Sequence, residues 1–168
     1  MKKYIIFLCI FLLLCIASIP ARAYEVDFKG QMLIRQFEGF SVCQYRDVAG
    51  KQTIGWGHLV REEDGLPACI LPARAKTLLA QDLVGVNYCV DKNVQAWITG
   101  DQVDALGDWI FNMGCGRLQT STLLRQVNAQ RGTEDVAHEF RRWVYAGGIK
   151  QRGLVIRRAI EAQLYSGQ

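Results

Sequence analysis

Little net charge, no metal-clip cysteine spacing, no internal repeat and no apolar run long enough to cross a bilayer characterise this 168-residue chain. Each absence excludes something. The uncharged apolar run from Tyr4 to Ile19 is 16 residues long, short of the roughly 20 that a spanning helix needs. None of the six cysteines is spaced C-x-x-C, so no metal is expected, and no cofactor either. Without repeats or a low-complexity linker nothing divides the chain, and the 145 residues after position 23 suit one domain around one core.

What is present begins with an address. Lys2 and Lys3 precede the apolar run, and Ala21-Arg22-Ala23 follows it as a small-x-small cleavage pattern. The expected organisation is a signal peptide over residues 1–23 and one domain over 24–168, starting at Tyr24; a retained membrane anchor is the rival. The leader removes three basic residues and no acidic one, leaving seventeen against sixteen, a balance too small for a nucleic-acid binder. The charge is unevenly spread: residues 24–116 hold eight Lys or Arg and twelve Asp or Glu, residues 117–168 nine and four. A basic C-terminal third suits either a polyanionic partner or a solvated face.

Export also governs the cysteines. Cys9 and Cys15 leave with the leader, and Cys43, Cys69, Cys89 and Cys115 remain, an even number in a compartment where disulfides persist. Cys69 and Cys89 flank one predicted helix of about 20 residues, on the order of 30 Å apart, and cannot bond each other. Two connectivities remain. Cys43–Cys69 with Cys89–Cys115 is preferred, because each loop then closes within one lobe.

Helical spacing dominates the second half. Pro72 suits a first helical position, and Ala75, Leu79, Leu83, Val86 and Val90 trace a stripe to about residue 90. Thr99 with Gln102 makes a capping box before Val103, Leu106, Ile110 and Met113. Arg131-Gly132 reads as a helix stop, and Thr133 caps a helix with Val136, Phe140 and Trp143 inside, ended by Gly147-Gly148. A last helix presents Ile156, Ile160 and Leu164 to the core. Upstream, Asp27 caps a helix to Glu38, and Gly39 supplies a left-handed stop. Residues 42–46 and 52–58 read as strands around Val48-Ala49-Gly50-Lys51, with Ile54, Trp56 and His58 on one face and Thr53, Gly55 and Gly57 on the other. The fold class is therefore α+β: a small hairpin-bearing lobe, a long helix, and a larger helical lobe.

The stretch RQFEGFSVCQYRDVAGKQTIGWGH, residues 35–58, crowds reactive side chains together. Glu38 sits at a helix C-terminus, whose negative dipole end disfavours a charged glutamate by ~0.3–1 kcal/mol and so favours the neutral acid. Asp47, at the mouth of a turn, is open to water and ionised. One protonated and one charged carboxyl across a cleft is what glycoside hydrolysis requires.

Glu38, eight residues, Asp47, five residues, then Thr53, inside F-E-G…Y-R-D…T-I-G-W-G-H, resembles the active-site pattern of phage-type lysozymes, the endolysins of glycoside hydrolase family 24. LLAQDL, FNMGCG, STLLRQVN, EFRRWVYAGG and GLVIRRAIEAQL follow in the family's order. The resemblance implies a two-lobed lysozyme-like fold and hydrolysis, with inversion, of the β-1,4 bond between N-acetylmuramic acid and N-acetylglucosamine. Glu38 would protonate the leaving oxygen, Asp47 would act opposite as base or charge stabiliser, and Thr53 would help hold the attacking water. Leu59, Phe111 and Thr122 would line the saccharide cleft, Arg157 of the last helix would approach Glu38, and His58 would form a structural ion pair with Asp82. The implied partner is peptidoglycan, reached in the periplasm or outside the cell by a monomer with no stable membrane association after leader removal. Two other readings compete: a Cys43–His58 peptidase cutting wall peptides, and a catalytically inactive wall-binding module. Some phage lysozymes instead keep a releasable N-terminal anchor that exchanges a thiol with the active site, a role open to Cys9, Cys15 and Cys43.

Overall fold

The computed structural model describes residues 23–47 and 50–167. Of the expected leader only Ala23 is among them; Cys9, Cys15 and the turn residues Val48 and Ala49 lie outside the described residues.

The small lobe grows from one capped helix. Asp27 accepts from Lys29 N at 2.6 Å and opens α1 (Phe28–Glu38). Gly39 ends it with φ 68° and ψ 178°, so the stop has positive φ but continues into extended backbone rather than the left-handed helical region. An antiparallel sheet follows, β1 (Ser41–Arg46), β2 (Gln52–Gly55) and β3 (His58–Leu59), in that order. The expected strand over 52–58 is thus two strands. Gly55 and Gly57, at φ 66° and 80°, fold the chain back so that His58 pairs across from Ile54. Thr53, Ile54 and Gly55 are consequently all buried, and the expected alternation of faces is lost. Gln44 N donates to Ala68 O and Ile70 N to Val42 O, both at 2.8 Å, laying the segment around Cys69 along β1.

One long helix joins the lobes. Pro72 opens α2 (Pro72–Asn93), which is about 33 Å long at 1.5 Å per residue and continues one turn past the expected end. Its first buried residues, Ala75 and Leu78, pack with Ile54 and Ile70 in the small core, while Leu79, Leu83, Val86 and Val90 belong to the large one. The Thr99–Gln102 capping box opens α3 (Gly100–Met113), buried without a break from Val103 to Ile110, as befits a helix covered on all sides. Around it lie α4 (Cys115–Thr120), α5 (Thr122–Asn128), α6 (Thr133–Phe140) and, after a hairpin of β4 (Tyr145–Ala146) and β5 (Ile149–Lys150), α7 (Arg152–Ser166).

Three expectations in this lobe are corrected. Gly132, not Thr133, takes the N-cap of α6, and the helix ends at Phe140, leaving Trp143 beyond it, edge-on to Trp109 at 5.0 Å. Gly147 and Gly148 turn the β4–β5 hairpin, since paired positive φ suits a two-residue hairpin as well as a helix stop. Most consequentially, α7 buries Arg157, Arg158, Glu161, Ala162 and Tyr165, whereas Ile156 is 47% exposed. Ile160 and Leu164 are half-buried and line an open groove with Met32 and Leu33 of α1, and Leu164 also packs against the large core. The charged stripe goes inward because α3 supplies Asp108 and Asn112 to bond it.

A second buried acid on α3 gives a pH prediction. Asp104 is fully buried and accepts from Asp27 N at 2.8 Å. Burial, reinforced by the neighbouring Asp27, pushes its carboxyl up from 3.8 to about 7, while the hydrogen bond from Asp104 leads the causes that hold Asp27 below its usual range. Between 3.8 and 7 the folded state keeps a proton that the unfolded chain releases, so stability falls as pH rises through that window. Below it Asp27 acts with the opposite sign, and stability falls as pH falls. Asp104→Asn, which stays neutral, should flatten the upper decline by up to a few kcal/mol. Urea titrations at pH 5 and 7.5 check this; an unchanged gap between wild type and variant at the two pH values would refute it.

Candidate active site

Glu38 is the last residue of α1, where the helix hands over to the sheet. The β2–β3 turn passes against it: a Cβ on Gly57 would meet Glu38 Oε2 at 3.3 Å, so at this position glycine meets both the positive φ and the close approach. From the large lobe, Arg157 Nη1 donates to Glu38 Oε1 at 2.7 Å. The Glu38 side chain is 22% exposed and that of Arg157 5%, so the carboxyl sits in the seam between lobes with one side open to solvent. A carboxyl held that way can pass a proton to a group arriving from outside.

Asp47 and Thr53 meet on the backbone of Lys51. Asp47 Oδ1 accepts from Lys51 N at 2.8 Å and Asp47 N donates to Lys51 O at 2.9 Å, closing the turn after β1. The buried Thr53 donates from Oγ1 to the same Lys51 carbonyl at 3.2 Å. Leu59 and Phe111 come together in a pocket of about 290 Å³ that Gly57, Arg61, Asp82 and Ile110 also line. Gly57 both lines that pocket and abuts Glu38. Thr122 lies apart from it, at a separate pocket with Glu139, Arg142 and Trp143, and its Oγ1 accepts from Arg125 Nη2 at 2.7 Å.

Both ring nitrogens of His58 are occupied. Nδ1 lies 3.0 Å from each Asp82 oxygen, and Nε2 lies 3.3 Å from Asp64 Oδ2. Burial raises the Asp82 carboxyl against the opposing influence of His58, whereas the hydrogen bond from Arg61 N lowers Asp64. Asp64 escaped sequence reasoning; Glu62-Glu63-Asp64, an acidic turn four to six residues after the histidine, was its signal.

Four further residues stand behind Glu38 that the sequence did not single out. Asp108, wholly buried, accepts from Arg157 Nε at 2.9 Å and Nη2 at 2.8 Å. Arg158 Nη2 donates to Glu161 Oε1 at 2.6 Å and Asn112 Oδ1 at 3.1 Å. Burial opposes the Arg157 charge, yet the bond and charge of Asp108 outweigh it and raise Arg157; burial lowers Arg158 and pushes Glu161 well up. Asp104 and Asp108, two acids four residues apart among the apolar positions of α3, were the available signal.

The disulfides are Cys43–Cys69 and Cys89–Cys115, with S–S distances of 2.02 and 1.98 Å. Cys43 therefore offers His58 no free thiol, and the peptidase reading loses its nucleophile. Cys43→Ser should remain active while losing about 2–4 kcal/mol of stability, since it opens a loop of 26 residues. Wall-lysis rates and thermal melts check this; a well-folded Cys43→Ser protein without activity would revive the thiol.

Residues 35–161 match the phage lysozyme family. The SAR-endolysin of Enterobacteria phage P21 is 35% identical over 127 residues, covering 76% of either chain. The endolysin of Acyrthosiphon pisum secondary endosymbiont phage 1 is 30% identical over 145 residues, covering 84% of this chain and 97% of its own. Among solved structures, the endolysin from Escherichia coli O157:H7 phage FAHEc1 superposes with a TM-score of 0.76 at 29% identity, covering 84% of this chain and 92% of that one. A P22 lysozyme mutant superposes at 0.75 with 30% identity, covering 84% and 97%.

Proposed function

Because the chain belongs to the phage lysozyme family, and is thus a peptidoglycan-degrading muramidase, we propose that Glu38 is its general acid. Glu38 protonates the oxygen of the β-1,4 bond between N-acetylmuramic acid and N-acetylglucosamine, Asp47 supports the attack from the opposite side, and Thr53 helps hold the water. Leu59 and Phe111 contact the sugar beside the bond that breaks, and Thr122 contacts it further along. The observation that carries this reading is the Glu38 carboxyl itself, anchored by Arg157 at 2.7 Å, covered by Gly57 on one side and open on the other. Water adds directly in an inverting reaction, without a covalent intermediate. The product released first should therefore carry the α anomer at its new reducing end. Proton NMR of the anomeric region during the first minutes of digestion reads this, and an initial β anomer would establish retention instead.

The domain organisation and the route follow from the same reading. Residues 1–23 direct export to the periplasm and are removed, leaving residues 24–168 as a soluble monomer without stable membrane association. Several relatives carry the name SAR-endolysin, which points to signal-anchor release as the other route to the same compartment. N-terminal sequencing of the active species separates the two: a start at Tyr24 supports cleavage, and a full-length soluble form supports release of an uncut anchor.

A further inference from the structure

Two carboxylates share the guanidinium of Arg157, and they share it unequally. Asp108 takes the Nε–Nη2 edge through two bonds of 2.9 and 2.8 Å, and its backbone oxygen accepts from Nη2 at 3.3 Å. Glu38 takes the remaining end through one bond of 2.7 Å from Nη1. The side chain of Asp108 is 0% exposed, that of Arg157 5% and that of Glu38 22%. A fork-to-fork pair fixes the guanidinium plane and is stronger than a single charged bond. The guanidinium cannot shed its own proton.

We propose that Asp108 is a positioning residue for glycoside cleavage: by chelating Arg157 it both fixes and neutralises the guanidinium that reaches Glu38, so that Arg157 orients Glu38 without stripping its proton. This rests on Glu38 being the acid. An uncompensated cation 2.7 Å from Glu38 Oε1 would favour the carboxylate, which cannot donate. With Asp108 in place the positive charge already has a buried partner. Two further charged groups on α7 touch the pair: Glu161, which bonds Arg158 at 2.6 Å, also lies 3.6 Å from Arg157 Nε and interacts with Asp108, which keeps its carboxyl up together with burial. On α1, Arg35 is stacked over Trp56 at 4.7 Å. Among these carboxylates Asp108 alone grips Arg157 with both oxygens.

The test is the pH profile of kcat/KM on a soluble peptidoglycan fragment for Asp108→Asn, beside wild type and Glu38→Gln. The alkaline limb should move to lower pH by about 1–3 units, because a cation without its own counter-ion lowers a neighbouring carboxyl by that much. A purely structural role would lower activity equally at every pH and leave the limb in place, which would overturn the proposal. Where Asp108→Asn alone does not fold, the double variant Asp108→Asn, Arg157→Gln carries the test, since it strands neither charge of the pair. Its limb should lie within about half a unit of the wild-type position, both charges having gone; a limb more than about one unit from wild type overturns the proposal. Glu38→Gln keeps the two levels apart. If it retains wild-type activity, the assignment of the acid fails; if it is inactive and the Asp108→Asn limb is unmoved, only the positioning role fails.

Discussion

Glu38→Gln is expected to yield a folded protein that still binds peptidoglycan and turns it over roughly 10²–10⁴ times more slowly. Glutamine keeps the length of the side chain and an oxygen to accept from Arg157 Nη1, which lies 2.7 Å from Glu38 Oε1. What it lacks is the acidic proton that the leaving oxygen requires. The fold should tolerate the change because Arg157 does not depend on Glu38 for a partner: Asp108 holds it by two bonds of 2.9 and 2.8 Å. Clearing of a cell-wall suspension measures turnover, and co-sedimentation with insoluble wall measures binding. Undiminished clearing by a folded Glu38→Gln protein would remove this residue from the reaction.

Arg158→Met is expected to lower stability by about 3–5 kcal/mol, while Arg158→Met combined with Glu161→Met restores most of it. Arg158 and Glu161 are both 0% exposed and bond each other at 2.6 Å. Removing the arginine takes away the hydrogen-bonded partner of a buried carboxyl and leaves it the more distant Arg157 Nε, at 3.6 Å, and a proton. Burial already pushes Glu161 well above its usual range, so the folded single variant binds a proton that the unfolded chain releases. Its stability should therefore fall as pH rises from 5 to 7. The double variant strands neither charge of the pair, and it also removes groups the pair satisfies poorly, since Arg158 Nε and Nη1 and Glu161 Oε2 make no hydrogen bond among the described residues. In a chain of this size the single loss corresponds to a fall in Tm of roughly 6–20 °C. Equal melting temperatures for the single and double variants would show that the cost lies in lost packing, not in the stranded carboxyl.

The contrast between α2 and α7 explains how far the sequence could be read. In α2 the apolar stripe is the buried stripe, because its neighbours are apolar and nothing competes for that face: Ala75, Leu79, Leu83, Val86 and Val90 all lie inside. In α7 the equally regular Ile156 is exposed and Ile160 and Leu164 are only half-buried, Leu164 at the edge of the large core, because the adjacent stripe finds Asp108 and Asn112 waiting on α3. Periodicity reports which residues share a face, and only the partner helix decides which face is covered. The small lobe was misread for a local reason. The run over 52–58 has the composition of a strand, but Gly55 and Gly57 adopt positive φ, and the resulting turn brings the backbone against Glu38. Glu38, Asp47 and Thr53 could be proposed together because they sit within one short stretch of chain. Asp64 and Asp108 were not, because their contacts to His58 and Arg157 exist only after the elements pack.

The identity of the new chain ends in digested peptidoglycan tests the assignment most directly. Purified sacculi are digested, reduced with borohydride and hydrolysed, and the reduced sugars are identified alongside a count of new free amino groups. N-acetylmuramic acid should appear in its reduced form at the new ends, in step with clearing and without new amino groups. Reduced N-acetylglucosamine, or new amino groups without any new reducing end, would contradict the assignment of this protein as a muramidase.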